Sequence, residues 1–600
     1  MKNYFLTLIL SVFIANNLYA QEDVEEVVVT SSLTSSALAD IEDPLHVVKG
    51  EDIDNSATQS LGETLDDLLG VSSQDYGAAV GRPVIRGMTG TRVQILNNGF
   101  VVQDVSGMGG DHTNEVDFND IKQVEIVKGP SSLLYAKGTV GGIINIVDDL
   151  IAKRDFNKQE INLGLETQSV SEGDSQSFSY KNKIAGFNVS VAFKDSSFGN
   201  YEIPDGAVIH MEEEHHDEDH DDEDHEEEHH EDEETGFLAN SDAAKTAQKI
   251  GISKTGDWGY FGIGFRDQES VFGLPYHVEP EGAHGHDDHG DEDDHDEHGE
   301  ERIFSSTNSE AFDIQGAYMV KGEVLKKIMF NIRDTDYIHT EQHMEMEEDH
   351  EGEEDHDEHG GHEGPTSFLN DATEFSTVFD FGNDLVSRKL MMSSINSEMA
   401  VVGSEAHMAP VTSEMFMLGY YSGTNFDVYD VKFGFRFDKI NREGGIIHHE
   451  EEHHDEDEHD EEEEHDEEIE YYDLDFNEYS YSLSLGRDFS DNLDASINFA
   501  SVARAPGAME LFMNGPHLAR GRFEVGDPDL DVENSNNIDV TFDYLNGDYY
   551  GSLAVFRNDI SNYLYLQDVE EHHDEDDHDE EGHDEDEHEE EHDDHSGLQR

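Results

Sequence analysis

From about residue 158 onward the chain consists of segments of roughly ten residues in which apolar and polar side chains alternate. One stretch, SFSYKNKIAGFNVSVAFKD, turns at Ala185-Gly186; another, IGISKTGDWGYFGIGFRD, turns at Thr255-Gly256-Asp257. Further turn chemistry falls at Lys321-Gly322, Gly382-Asn383-Asp384, Ser422-Gly423-Thr424, Ser490-Asp491-Asn492 and Asn546-Gly547-Asp548. A two-residue period marks strands with two unlike faces, and Gly, Asn and Asp between two such runs make hairpins. The connections between hairpins are long, and five of them hold runs of Asp, Glu and His. Short and long connections therefore alternate along the chain. An up-and-down antiparallel barrel that crosses a membrane has this pattern, with short periplasmic turns and long outer loops. No run of about 18 apolar residues occurs in the body of the chain, so it contains no membrane-spanning helix. The lone Trp258, beside Tyr260 at a short turn, stands where a membrane-interface aromatic is expected, with core packing the alternative.

About 15 strands are expected, whereas barrels with a plugged lumen have about 22, and bacterial single-chain barrels have an even number. An open edge has no place in lipid. The fold expected is an all-β transmembrane barrel, antiparallel and of about 22 strands, with the set incomplete at Arg600.

Upstream, residues 81–147 read GRPVIRGMTGTRVQILNNGFVVQDVSGMGGDHTNEVDFNDIKQVEIVKGPSSLLYAKGTVGGIINIV. Glycines between short β-branched runs describe a compact domain of short strands and tight turns. Ser60 to Gly70 carries Leu61, Leu65, Leu68 and Leu69 at helical spacing before a glycine, a short amphipathic helix. The blocks RPVIRGMTGTRVQILNNG and VEIVKGPSSLLYAKGTVGGIINIV closely resemble the plug domain of TonB-dependent outer-membrane receptors. The late blocks RAPGAMELFMNGPHLARGRFEVGDPDLDVENSNN and FRNDISNYLYL also resemble segments of these receptors. The resemblance implies an N-terminal α+β plug in the barrel lumen, an outer-membrane location in a Gram-negative bacterium, and a transporter in place of an enzyme. It divides the chain into a signal peptide (1–20), an N-terminal segment (21–39), a plug (40–150) and a barrel (151–600). The first 20 residues read independently as a secretory signal: Lys2, an apolar run from Phe5 to Ile14, and Leu18-Tyr19-Ala20 before Gln21. Val27, Val28, Val29, Thr30 and Ser31 stand where the family has its TonB box, which pairs with the periplasmic energy-coupling protein TonB by strand addition. An ordinary first strand is the alternative.

Formal net charge is −107, carried mostly by the acidic runs, which excludes nucleic acid as a partner and favours cations. The runs span His210–Glu234, His277–His298, His339–His362, His448–His465 and His572–His595 and hold 32 of the 36 histidines. Imidazole with carboxylate suits zinc, nickel, copper and cobalt, whereas a site for calcium or magnesium alone needs no histidine. Among these, His215, His216, His284, His286, His289, His356, His359, His453, His454, His572 and His573 are candidates for weak, exchangeable metal capture. A purely solvated acidic loop is the alternative. The spacing H-E-x-x-H occurs at His225, His449 and His588, but without the apolar helix face a metalloprotease needs. There are no cysteines, so thiolate ligands are excluded.

Four histidines lie outside the runs. His46 opens the plug and reads as structural. His112 follows Asp111 in GMGGDHTNE, His517 lies in NGPHLA, and His407 lies near Glu405 in GSEAHMAPVT. With VFGLPYH before the second acidic run, this set resembles the zinc-uptake branch of the receptor family. That likeness implies a metal site of Asp111, His112 and His517, with Glu405 as a further carboxylate. It implies zinc or another divalent metal as transported ligand and no prosthetic group. TonB, outer-membrane lipid and divalent ions are the implied partners. Copper, nickel, haem or a metal chelate as cargo remain alternatives, as does an exported metal-buffering or adhesive surface protein.

Overall fold

The computed structural model describes residues 44–567, apart from the acidic inserts (208–235, 276–301, 345–363 and 449–467) and short segments at 57–58, 131, 205–206, 383–385, 404–407, 427, 491, 518–521 and 547–548. The signal peptide, the TonB-box candidates and every loop histidine named above as a capture site lie outside the described residues.

The first seven strands build the plug: β1 (Pro44–Lys49), β2 (Val71–Asp75), β3 (Gly81–Ile85), β4 (Val93–Asn97), β5 (Phe100–Val101), β6 (Ile121–Val127) and β7 (Gly142–Asp148). Five of them form one sheet in the order β1-β6-β7-β4-β5, with β4 and β7 parallel and the other pairs antiparallel. Every residue of β7 is buried. One side of the sheet packs Val124, Ile126, Ile144 and Ile146 under two short helices, α1 (Gly50–Asp54) and α2 (Leu61–Leu65). Elsewhere on the central strands a buried polar cluster joins Glu125 to Asn145 (3.0 Å), and Asn145 accepts from the Gly99 amide (3.0 Å). Helix α2 is the amphipathic segment expected at Ser60. Ser60 caps it by accepting from the Glu63 amide, which satisfies one end donor, and the Glu63 carboxylate reaches back to accept from the Gln59 amide just before the cap. His46 lies 2.8 Å from the Leu69 carbonyl through Nε2 and ties β1 to the end of that segment.

Among the described residues fifteen further strands form a single antiparallel sheet, the number the alternation predicts. In chain order they begin with β8 (Glu160–Gln168), β9 (Gly173–Ile184) and β10 (Phe187–Phe198). A small ribbon of β11 (Tyr201–Glu202) and β12 (Phe237–Leu238) intervenes. The wall continues with β13 (Ala243–Gly256), β14 (Gly259–Gly273), β15 (Arg302–Met319), β16 (Lys327–Met344), β17 (Thr366–Asp380) and β18 (Val386–Val402). Next come β19 (Val411–Phe426), β20 (Tyr429–His448), β21 (Glu468–Ser490) and β22 (Leu493–Arg504). After β22, helix α3 (Ala508–Phe512) leads into a second ribbon, β23 (Asn514–His517) with β24 (Arg522–Val525). The strands β25 (Glu533–Asn546) and β26 (Tyr549–Ser561) follow.

The wall is apolar outside and polar inside. Leu163, Leu165, Phe261, Phe312, Phe375, Phe416, Phe433 and Leu553 are exposed, whereas Asp313, Arg333, Glu374, Arg436, Asp438 and Glu478 are buried. This is the polarity of a barrel in lipid that encloses a polar lumen. The plug packs against that polar face and is held by charge. Arg92 makes a bidentate pair with Glu533 (3.0 and 2.7 Å), Lys249 reaches Asp117 (3.0 Å), and Arg266 reaches Asp148 (2.7 Å).

Two turn expectations need correction. Ser422-Gly423-Thr424 lies within β19, with Gly423 in register with Lys432, and the hairpin closes where Phe426 pairs with Tyr429. The later turn keeps five more pairs of the ladder, from Ser422 with Phe433 to Phe426 with Tyr429, and leaves both closing aromatics exposed. The other turn is at Asp257-Trp258, because Gly256 still pairs with Gly259. Trp258 is itself exposed there, in keeping with an interface position.

Candidate metal centre

The plug loop that carries Asp111 and His112 is tied at both ends by Asp104. Its Oδ1 accepts from the Ser106 amide (3.1 Å) and hydroxyl (2.6 Å), and its Oδ2 accepts from the Glu115 amide (3.1 Å). Burial pushes the Asp104 carboxyl up to about 6, against those hydrogen bonds. Arg82 supports the loop from below, donating to the carbonyls of Ser106 (2.8 Å) and Gly109 (2.5 Å). Gly109 leaves the room in which Asp111 folds back, since a Cβ there would lie 2.2 Å from Asp111 Oδ1 and 3.0 Å from His112 Cδ2.

Above this loop the barrel supplies two more groups. Glu341 is on the inner face of β16, and His517 ends β23. Asp111, His112, Glu341 and His517 each present one donor atom, and the four donors lie within 4.8 Å of one another. His517 Nε2 is 3.2 Å from Asp111 Oδ2, His112 Nε2 is 3.5 Å from the same oxygen, and His112 Nδ1 is 3.6 Å from Glu341 Oε1. All four side chains are 5% exposed or less. Phe368 walls the site, with its ring edge-on to His112 at 5.3 Å and tilted against His517 at 6.4 Å. Two imidazoles and two carboxylates, buried and convergent, form a donor set for a four-coordinate divalent ion. Burying two carboxylates is costly, and a divalent ion at their centre offsets that cost more fully than a single protonated imidazole does.

Burial alone would raise the Asp111 carboxyl, but the His112 and His517 rings beside it hold it below the usual carboxylate range. Burial lowers His112 to about 4 despite Asp111 and Glu341, so its ring is neutral and ready to ligate at pH 7. Burial would also lower His517, but the Asp111 carboxylate outweighs it and raises the ring well above its ordinary value. His517 is therefore protonated at neutral pH, and its proton must leave before Nε2 can ligate. The sign follows: lower pH strengthens the competing proton, so affinity falls on acidification, starting above the usual imidazole range. Binding at pH 7 should release about one proton. Calorimetry in buffers of different ionisation enthalpy measures that release, and His517→Ala should remove it.

The structure thus brings together three of the four expected site residues. Glu405, and His407 near it, lie outside the described residues; the carboxylate found beside the other three is Glu341. The sequence reading also missed His339, which it placed in the third acidic run. The strand period is the signal that would have found both: Tyr337, His339 and Glu341 occur at alternate positions, and all three are buried within β16.

Residues 37–143 match the family model for the TonB-dependent receptor plug domain, and residues 363–573 match that for the TonB-dependent receptor-like β-barrel. The chain belongs to the TonB-dependent receptor family. Receptors of this family are Gram-negative outer-membrane barrels, in accord with the apolar outer face. Among curated relatives, this receptor is 28% identical over 122 residues to the vitamin B12 transporter BtuB of Photobacterium profundum. That match covers 20% of each chain, so the receptor spans about a fifth of that relative's length. The hemophore receptor HasR of Serratia marcescens, solved with its hemophore HasA and heme, superposes with a TM-score of 0.62 at 14% identity, covering 86% of this chain and 73% of that one. The copper transporter OprC superposes with a TM-score of 0.59 at 12% identity, covering 86% and 70%. At these identities the likeness is one of fold.

Proposed function

We propose that this receptor imports a divalent transition-metal ion across the outer membrane, with zinc the preferred cargo. The observation that carries the reading is the buried cluster of Asp111, His112, Glu341 and His517, shared between plug loop and barrel wall. Its donors are nitrogen and oxygen, four in number, and lie within reach of one small ion, which suits tetrahedral zinc. The acidic, His-rich inserts concentrate cations at the mouth and pass them to this tighter site. TonB then pairs with Val27–Ser31 and pulls on the plug. That draws Asp111 and His112 away from Glu341 and His517, splits the ligand set and frees the ion towards the periplasm. No covalent bond is made or broken.

Copper is a second reading with its own support. Seven methionines, Met108, Met391 and Met417 among them, line a cavity of about 340 Å³ between plug and wall, and thioethers favour copper(I). A solved neighbour of this fold is a copper transporter. Metal-limited cells that produce the receptor should accumulate radioactive zinc, and excess unlabelled zinc should compete better than copper or nickel. Deleting Val27–Ser31 should abolish accumulation while leaving binding intact. If accumulation survives that deletion, the protein is a metal-buffering surface protein; if copper competes best, the cargo assignment changes.

A further inference from the structure

His339 stands at the edge of the four-donor cluster. It lies on β16 two residues before Glu341, so the strand period turns both side chains inward. Its ring is 1% exposed and lies edge-on to His112, with centroids 4.9 Å apart. Its Nε2 is 3.2 Å from His112 Nδ1 and 3.2 Å from Glu341 Oε1, and those two atoms are 3.6 Å apart.

This triangle has the dimensions of a coordination face. Donors around a tetrahedral ion with bonds of about 2.1 Å stand about 3.4 Å apart. A point about 2.1 Å from all three donors lies about 0.8 Å out of their plane, close to the ideal for one face of such a tetrahedron. As a hydrogen-bonded triangle the arrangement is poorer, because one Nε2 proton would serve two acceptors. The other nitrogen supports ligation: Nδ1 is 3.1 Å from Thr307 Oγ1 and can donate to it, which leaves the Nε2 lone pair facing His112 and Glu341. An outer partner of this kind is what orients a metal-bound imidazole.

We infer that His339 is a further metal ligand, completing with His112 and Glu341 a second coordination face beside the Asp111–His517 pair. The inference rests on the proposed metal site and adds a third imidazole to it, which raises the protein ligands from four to five and makes the bound ion five-coordinate. The ligand class is a divalent ion with a preference for nitrogen, such as zinc, cobalt or nickel.

Affinity alone cannot separate a ligand from a positioning residue, since losing an outer-shell partner also costs roughly 10- to 100-fold. The number of bound imidazoles can. The full-length receptor is loaded with half an equivalent of zinc, so that the tightest site fills first, and imidazole scattering is measured by X-ray absorption at the zinc edge. Three imidazoles are expected in the wild type and two in His339→Gln. The glutamine amide can still donate to Glu341, so it preserves a positioning role but not ligation. Cobalt(II) at the same loading gives a second readout, with visible bands that shift in the variant. Two imidazoles in the wild type, or an unchanged spectrum in His339→Gln, overturns the inference while leaving the proposed site intact. If Asp111→Ala with His112→Ala leaves the wild-type spectrum unchanged, the metal lies elsewhere and both readings fall.

Discussion

Replacing Asp111 and His112 together by alanine will lower zinc affinity at the tight site on the order of 10⁴-fold and abolish metal-limited uptake. Structural zinc sites with four protein ligands bind with apparent free energies of about 10–16 kcal/mol, so each ligand carries on the order of 3 kcal/mol. Losing two removes about 6 kcal/mol, or roughly four decades in affinity. The pair is also the plug's whole share of the four-donor cluster, so Glu341 and His517 are left on the barrel with nothing to link them to the moving part. The affinity is measured by competition against a chelator of known strength, after confirming that the barrel is folded. Affinity within tenfold of wild type, with uptake intact, would place the working site elsewhere.

Gly109→Ala should be the most damaging single methyl in the loop. The added carbon would sit 2.2 Å from Asp111 Oδ1 and 3.1 Å from its Cγ, well inside contact distance. The carboxylate is the movable partner, so it would swing out of the cluster while the fold persists. Overpacking of this kind costs about 1–3 kcal/mol, which corresponds to roughly 10- to 100-fold in affinity. Gly110→Ala is the control, since a Cβ there meets nothing closer than 3.6 Å. Chelator competition on both variants checks the point. Equal affinities would mean that Asp111 does not depend on the space above Gly109.

Both predictions depend on a site that was partly legible in the chain. Asp111, His112 and His517 could be read from the family resemblance together with their position outside the acidic runs. Glu341 and His339 could not be read in that way, because in composition they merge with the Asp, Glu and His that follow. The strand that carries them continues to Met344, and only its pairing with β15 through Arg302–Met344 shows how far the wall extends into that run. The turn at Ser422-Gly423-Thr424 failed for a related reason. Its residues are good turn formers, but the ladder between β19 and β20 gains by running through them.

The sequence by itself determined the barrel wall, the plug and the fifteen strands found among the described residues. A two-residue period, turn residues and alternating connection lengths are local properties, and each can be read within a few dozen residues. Only the tertiary structure decided which carboxylate meets the plug loop and that His339 stands beside it. Asp111 and His517 are 406 residues apart in the chain with Glu341 between them, and their meeting depends on the register of successive strands and on how the plug is seated by its ion pairs. Both are non-local, and a shift of one residue in β16 would turn Glu341 and His339 away from the lumen.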